Sequence, residues 1–414
     1  MLQPHILIVG AGVIGLTLAQ ALKKSSIPFT IFERDPTPSH RGKGWGLTIH
    51  WGLDTFLSLL PKDIINRLDE TLVDPDAVAR GENGKFLLFD LATGEAKWQV
   101  TAARRMRLSR ERWRTLLMEG IDVQWSKKLE SVKIEEDDVA VTFADGSTYT
   151  GTHLAGCDGS QSVVRRLICP NDFASQPLPV VSSGVSVPYS KDFIKPVRDL
   201  DPYFFMGTDP RTDAFLYFSF LDTPTNNHRT GALKDTYECQ MMVSWPHRGG
   251  FLGRKLPVDM PEENGERLQL LKEISRDWAE PFRTAIQAIP ENTRAQQVRV
   301  EDWIPSKDGW DNYGGRVIML GDSAHPMTMY RGEAGNHGIA DVKTYLDLYL
   351  PLWRNASSTR SDFQAAGDAY ETEMLPRATT AVLNSRQACL DAHESKRIDD
   401  KSPLVLRKPV NISQ

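Results

Sequence analysis

Near the start of the chain, Gly10-x-Gly12-x-x-Gly15 has the spacing of a phosphate cradle. The apolar run Ile6 to Val9 precedes it, a segment with helical spacing follows, and Glu33 closes the next apolar run, "FTIFE". Gly10 permits a tight turn, Gly12 lets the backbone approach a pyrophosphate, and Gly15 lets helix and strand pack closely. Glu33 is placed to accept hydrogen bonds from a ribose. The arrangement predicts dinucleotide binding, and by itself does not separate FAD from a nicotinamide.

A second glycine-rich stretch, "GDSAHPMTMYRGEAGNHG" at 321–338, follows the apolar run Val317-Ile318-Met319-Leu320 and precedes helical spacing from Ile339. Strand, loop and helix in that order suggest a polar cofactor edge at a helix N-terminus, where backbone N–H groups favour negative charge. A third stretch, "CDGSQSVVRRL" at 157–167, carries Asp158 and Arg165. Each group also has a structural reading. Asp158 suits the N-cap of a helix near Ser162, Asp322 suits a braced turn, and His325 and His337 suit buried hydrogen bonding. Arg41, in "RGKGWG", suits either a solvated loop or a charged ligand.

Taken together, these motifs resemble the group A flavoprotein monooxygenases, the family of p-hydroxybenzoate hydroxylase and salicylate hydroxylase. The glycine motif, an arginine opening the helix before a β-meander (Arg110), the Asp-Gly pair and the Gly-Asp pair occur in family order over most of the chain. "HPMTMYRGEAGNHGIAD" is similar to fungal enzymes of secondary metabolism within that family. The resemblance implies that Gly10, Gly12, Gly15, Glu33 and Arg34 hold the ADP half of FAD. It implies that Arg110 reaches the pyrophosphate or isoalloxazine, and that Arg41 lies near FAD and the pyridine nucleotide. Asp158 would lie near the pyrophosphate and the approach of the nicotinamide donor, and Asp322 would bind ribityl or ribose hydroxyls. The loop through Pro326, Gly335 and Asn336 would run along the flavin ring. The family loop usually reads Gly-x-Gly-Ala-Asn, whereas this chain has Gly332-Glu333-Ala334-Gly335-Asn336, so a methyl stands where backbone is expected to approach the flavin.

The implied chemistry is reduction of FAD by NADPH or NADH, reaction with O2 to a C4a-hydroperoxide, and hydroxylation or epoxidation of a small molecule. Its substrate would be an electron-rich aromatic, polyketide, terpenoid or indole-type metabolite. Such an intermediate requires a dry cavity. The aromatic strands carrying Phe205, Phe215, Tyr217, Phe218 and Trp245 are candidate walls, with core packing the alternative for each. No residue is identified as the catalytic base; His325, Tyr217 and Arg331 are candidates. A flavin oxidase or dehydrogenase on the same fold, and a non-redox flavoprotein cyclase or binding protein, are the competing readings.

The elements that must position these residues predict an α/β fold. It comprises a Rossmann-type FAD-binding domain of glutathione reductase-like topology, an inserted mainly antiparallel substrate sheet, and C-terminal helices. The expected boundaries are 1–75, 110–170 and 306–350 for the FAD domain, 76–109 and 171–305 for the substrate domain, and 351–414 for a helical region ending in a loose polar tail. Residues 122–155 read as a β-meander.

At 414 residues, 40 % hydrophobic and 25 % charged, the composition is that of an ordinary globular protein. A net charge of -5 argues against a nucleic-acid partner. The six arginines of "RRMRLSRERWR" read either as a basic patch or as a solvated helix face with one or two buried members. Four cysteines show no C-x-x-C pair, and no metal-ligand spacing is evident. "HILIVGAG" starts so early that no signal peptide is expected, and no apolar run reaches the roughly 20 residues of a membrane span. A cytoplasmic monomer or homodimer is the expectation.

Overall fold

Apolar runs without alternation build sheets covered on both faces. In a computed structural model, which describes residues 3–40, 44–99, 104–136, 138–227 and 230–406, such runs form a five-stranded sheet. Its order is Val317–Met319, His153–Gly156, Ile6–Val9, Phe29–Phe32, Val123–Gln124, with every neighbouring pair parallel. The helix Val13–Lys24 connects the central strand to the next, burying Leu16, Leu18 and Leu22. Phe29–Phe32, with Val123–Gln124 beyond it, lies on one side of the central strand, and His153–Gly156 with Val317–Met319 on the other, so a topological switch point opens beyond Val9. Ligands of such sheets bind in that crevice at the carboxyl ends of the strands. Gly10, Glu33, Cys157, Asp158 and Gly321 all follow the ends of these strands, which is why motifs distant in sequence collect at one edge.

The predicted meander is divided. Leu129–Ile134, Val139–Phe143 and Thr148–Gly151 form a three-stranded antiparallel sheet, but Val123–Gln124 and His153–Gly156 belong to the parallel sheet. His153–Gly156 is buried throughout. Alternation ends there because both faces are covered.

The second large sheet has seven strands, ordered Gln296–Gln297, Val180–Ser190, Thr236–Pro246, Ala214–Asp222, Phe204–Asp209, Leu87–Asp90, Ala96–Gln99. It is antiparallel except between Phe204–Asp209 and Leu87–Asp90. One face packs on the helices Lys191–Arg198, Asn264–Ile274 and Phe282–Gln287 through Phe205, Phe218, Leu271 and Phe282. Its other face turns toward the first sheet.

The chain closes with helices Ala334–Arg354 and Arg360–Ala392, the latter opened by a capping box of Thr359 and Asp362. The tail is not loose over the described residues. Ser402, Leu404 and Val405 are buried, and the leucine and valine join Met206, Phe215, Tyr330 and Cys389 in one apolar cluster. The apolar run Leu404-Val405-Leu406 explains the docking. Among the described residues, no helix is long and apolar enough to cross a membrane.

Candidate active site

The first glycine turn has little room for side chains where it packs and open space where it faces outward. Gly10 sits at φ +107°, and a Cβ there would lie 2.3 Å from the Cys157 carbonyl oxygen. At Gly15 it would lie 2.0 Å from the Gly10 carbonyl oxygen, whereas at Gly12 it would meet no atom within 4 Å. Gly12 starts the helix Val13–Lys24 without a side-chain cap. The first-turn N–H groups therefore face open space. The Glu33 carboxylate accepts from the Ala11 N–H at 3.0 Å and the Asp35 N–H at 3.1 Å. Behind it, Arg114 donates to the Ala11 carbonyl at 2.8 Å and the Pro38 carbonyl at 2.7 Å, bracing the turn.

The other two motifs are coupled to each other. Asp158 accepts from Ser162 Oγ at 2.5 Å and from the N–H groups of Val163 and Val164 at 2.6 and 3.2 Å, capping the helix Val163–Ile168. Burial raises its pKa, against the pull of those hydrogen bonds. Arg165, on that helix, donates to the carbonyls of Asp322 and Ser323 at 3.3 and 3.1 Å, with its guanidinium 4.9 Å from the Trp303 ring centre. Asp322 turns its carboxylate into a cavity and accepts no hydrogen bond from a described residue. Solvent reaches it, yet protein surrounds it. Desolvation therefore raises its pKa, opposed by attraction to His325, Arg110 and Arg165.

Several expected site residues lie behind the glycine loop rather than on the cavity wall. His325 is fully buried, its Nε2 2.7 Å from Asp341 Oδ2, the oxygen that also accepts from the Gly321 N–H at 2.7 Å. Arg377 donates to the other Asp341 oxygen at 2.8 Å. Desolvation alone would raise Asp341, but His325 and Arg377 hold its carboxyl well below the ordinary range. Asn336 is also buried, and accepts from the N–H groups of His50 and Gly52 at 2.9 and 3.2 Å while donating to the Thr48 carbonyl at 3.1 Å. It fastens a neighbouring loop instead of lining the cavity. Arg331 reaches the cavity edge but is committed to Glu333, at 3.0 Å, and to the carbonyls of Pro403 and Leu406. In this structure His325 and Asn336 therefore lie off the cavity wall, and Arg331 lies at its edge.

One cavity of about 1850 Å³ runs from Gly10, Glu33 and Arg34 past Arg110, Asp158 and Asp322 to the open face of the seven-stranded sheet. Pro326, Ala334 and Gly335 border it, and a Cβ at Gly335 would meet no atom within 4 Å. Arg41 lies outside the described residues. Of the five aromatic candidates, Phe215 and Tyr217 line the cavity, whereas Phe205, Phe218 and Trp245 pack into the core on the opposite face. Strand alternation decides this: Phe218 follows Tyr217 and must point the other way. The same rule brings in Phe204, Met206 and Met242, which the sequence reading missed. Arg107, grouped above with the basic run, is also a buried cavity residue.

Comparison with known proteins places this architecture. A model of the NAD(P)-binding Rossmann-like domain matches residues 8–68. A probable FAD-dependent monooxygenase of Arthroderma benhamiae is 50 % identical, over 98 % of this chain and 95 % of that protein. The chain belongs to the FAD-dependent monooxygenases. Another member, FAD-dependent monooxygenase dbaB of Emericella nidulans, is 38 % identical over 92 % of this chain and 95 % of its own length. The fold of this monooxygenase is also that of Klebsiella pneumoniae HpxO complexed with FAD and uric acid, at 21 % identity and TM-score 0.69 over 95 % of this chain and 90 % of that one. The glycine turn, the open space at Gly12 and the acid closing the next strand suit an FAD-dependent enzyme drawing electrons from NAD(P)H.

Proposed function

We propose that this monooxygenase hydroxylates or epoxidises an electron-rich aromatic or polyketide-like metabolite, with FAD in the switch-point half of the cavity and the substrate in the sheet-facing half. The continuity of one cavity between those regions is the observation that carries the reading. Its volume exceeds the roughly 300–1,000 Å³ of an ordinary small-molecule pocket, as two occupants require. When bound, FAD supplies the electrons drawn from NADPH or NADH and the activation of O2.

In this reading, the chain's own residues bind, orient and exclude water. Gly10 and Gly15 shape the turn, the N–H groups beyond Gly12 face the pyrophosphate, and Glu33 accepts from the adenosine ribose. Arg34 and Arg110 supply positive charge along the phosphate path. Asp322 receives the ribityl hydroxyls. The helix Ala334–Arg354 opens at the cavity wall, where its positive end would favour negative charge on a bound flavin by about 1 kcal/mol. Ala334 adds a methyl at that end, and Gly335 leaves its neighbour open. Asp158 and Arg165 hold the two motif loops in register, and Asp341 pins Gly321 from behind. Phe204, Met206, Phe215 and Tyr217 keep water from the reacting ring. Segments 1–75, 110–170 and 306–350 form the cofactor half, and 76–109 with 171–305 the substrate half. The net charge of -5 supports a small-molecule rather than a nucleic-acid partner, and we place the enzyme in the cytoplasm as a monomer or homodimer.

The test is the visible spectrum of the purified protein during anaerobic addition of NADPH, then NADH, followed by turnover under labelled dioxygen. A yellow protein that bleaches and delivers one labelled oxygen atom to product is the expected result. Bleaching without label in product would make it an oxidase, and a protein that takes up no FAD would sink the proposal.

A further inference from the structure

Arg107, on the strand Met106–Ser109, is only 6 % exposed and lines the cavity. Among the described residues every partner it has is neutral. Its Nη2 donates to Tyr217 Oη at 2.9 Å and Ser219 Oγ at 2.5 Å, and its Nη1 to Thr48 Oγ1 at 3.0 Å. The guanidinium lies 5.1 Å from the Phe204 ring centre, and its Nε is buried without a partner. A buried cation with no paired anion bears a desolvation cost that a negatively charged ligand relieves.

Gln240, on the strand Thr236–Pro246, is 2 % exposed, lines the same cavity and makes no hydrogen bond with a described residue through its side-chain amide. Its buried Oε1 is unpartnered. Gln240 is the cross-strand partner of Ser219, the residue that accepts from Arg107 Nη2, so Arg107 and Gln240 are neighbours on the cavity face of the sheet. The other charged groups on this part of the wall are Arg104, Arg105 and Glu238; Glu238 accepts from Ser186 Oγ.

We propose that Arg107 and Gln240 select a substrate carrying an ionised oxygen beside a hydroxyl, that is, the phenolate of an ortho- or peri-dihydroxylated arene. Arg107 takes the anionic oxygen, Gln240 accepts from the adjacent hydroxyl, and the proton lost on binding passes to bulk water. Ionisation enriches the ring in electrons, which favours attack on electrophilic oxygen. The inference rests on the reading that the sheet-facing half of the cavity is the substrate site.

The probe is 1,2-dihydroxyanthraquinone, whose absorption changes when a phenol ionises, bound to the FAD-loaded enzyme, with 1,2-dimethoxyanthraquinone as the neutral control. The bound dye should ionise about one pH unit or more below the free dye. Arg107→Gln should abolish that shift and weaken the dye roughly 10- to 100-fold, with binding of the dimethyl ether changed less than about 3-fold. Arg107→Lys should restore part of the shift. Dye bound in its neutral form, dye not bound at all, or an Arg107→Gln variant that ionises it as the parent does would each overturn the proposal. Should Arg107→Gln fail to fold, the titration of the parent enzyme decides alone. Anaerobic reduction of FAD without dye reports separately on the cofactor reading, so an enzyme that bleaches with NADPH yet binds neutral dye loses only this inference.

Discussion

The two large sheets solve the problem of making a site in different ways. The parallel sheet uses backbone: its strands stop at one edge, where the turn at Gly12 leaves helix N–H groups uncapped while Gly10 and Gly321 pack against the protein. In the antiparallel sheet the site comes from side chains, with one face given to helices and the other to the cavity. Position along the chain therefore specifies function in the first sheet, and parity along the strand specifies it in the second. A residue moved by one place in the second sheet exchanges a cavity for a core.

The largest effect expected from this contrast is at Gly10. Gly10→Val forces a side chain against the Cys157 carbonyl and should destabilise by on the order of 3 kcal/mol or more, abolishing soluble FAD-loaded protein. Gly12→Ala, two residues on, should leave the apoprotein's Tm unchanged while reducing bound FAD, measured by absorbance. Equal loss of stability in both would break the distinction between packed and ligand-facing glycines. In the other sheet, Phe218→Ala should cost about 3–5 kcal/mol in denaturant titrations with FAD affinity retained, because its ring packs against Phe205 on the helix-covered face.

Acid stability separates the regions next. Burial lowers the pKa of His153, beside the parallel sheet's aromatic helix contacts, to about 3, and that of His393, behind Tyr330, to about 4. His393 donates from Nδ1 to the Cys389 carbonyl, which leaves Nε2 to accept from Ser244 Oγ, as a neutral ring requires. Below about pH 6.5 the unfolded chain binds protons that these folded sites refuse. Stability present above that pH is therefore lost as pH falls toward 3 for His153 and toward 4 for His393, at up to about 1.4 kcal/mol per unit for each. His153→Phe and His393→Gln should each flatten the unfolding free energy between about pH 6.5 and 4.5, and an unchanged slope would show that the rings are solvated. The smallest effect is expected at Tyr217→Phe, about 1–3 kcal/mol in stability, since the hydroxyl it removes is one of three neutral acceptors of the buried Arg107 guanidinium. A larger loss would mean that Tyr217 belongs to the core.

The parallel sheet was legible because its signals are local. A glycine turn needs only its flanking strand and helix, and the predicted helix start at Arg110 coincides with the observed Arg110–Leu117. The cavity wall was less legible because Phe204–Asp209 is buried at every position, leaving no polar alternation to say which side holds the cavity. Asp341 escaped notice for another reason. It reaches Gly321 only after the helix Ala334–Arg354 folds back over the loop, and a lone aspartate in an apolar helical run carries no mark of that contact. Arg107 was hidden among five other arginines, and what distinguishes it is the neutrality of its surroundings, a property of packing.

The clasp of Arg331 onto the Pro403 and Leu406 carbonyls bears on how the enzyme is made. The glycine turn precedes its partners in the chain: its central strand waits for His153–Gly156 as a parallel neighbour, and that strand waits in turn for Val317–Met319. Pairings of such long sequence separation form slowly and leave edges open to other chains meanwhile. The loop carrying Arg331 gains its clasp only from residues 403–406, so one wall of the cavity depends on a contact with chain some seventy residues further on.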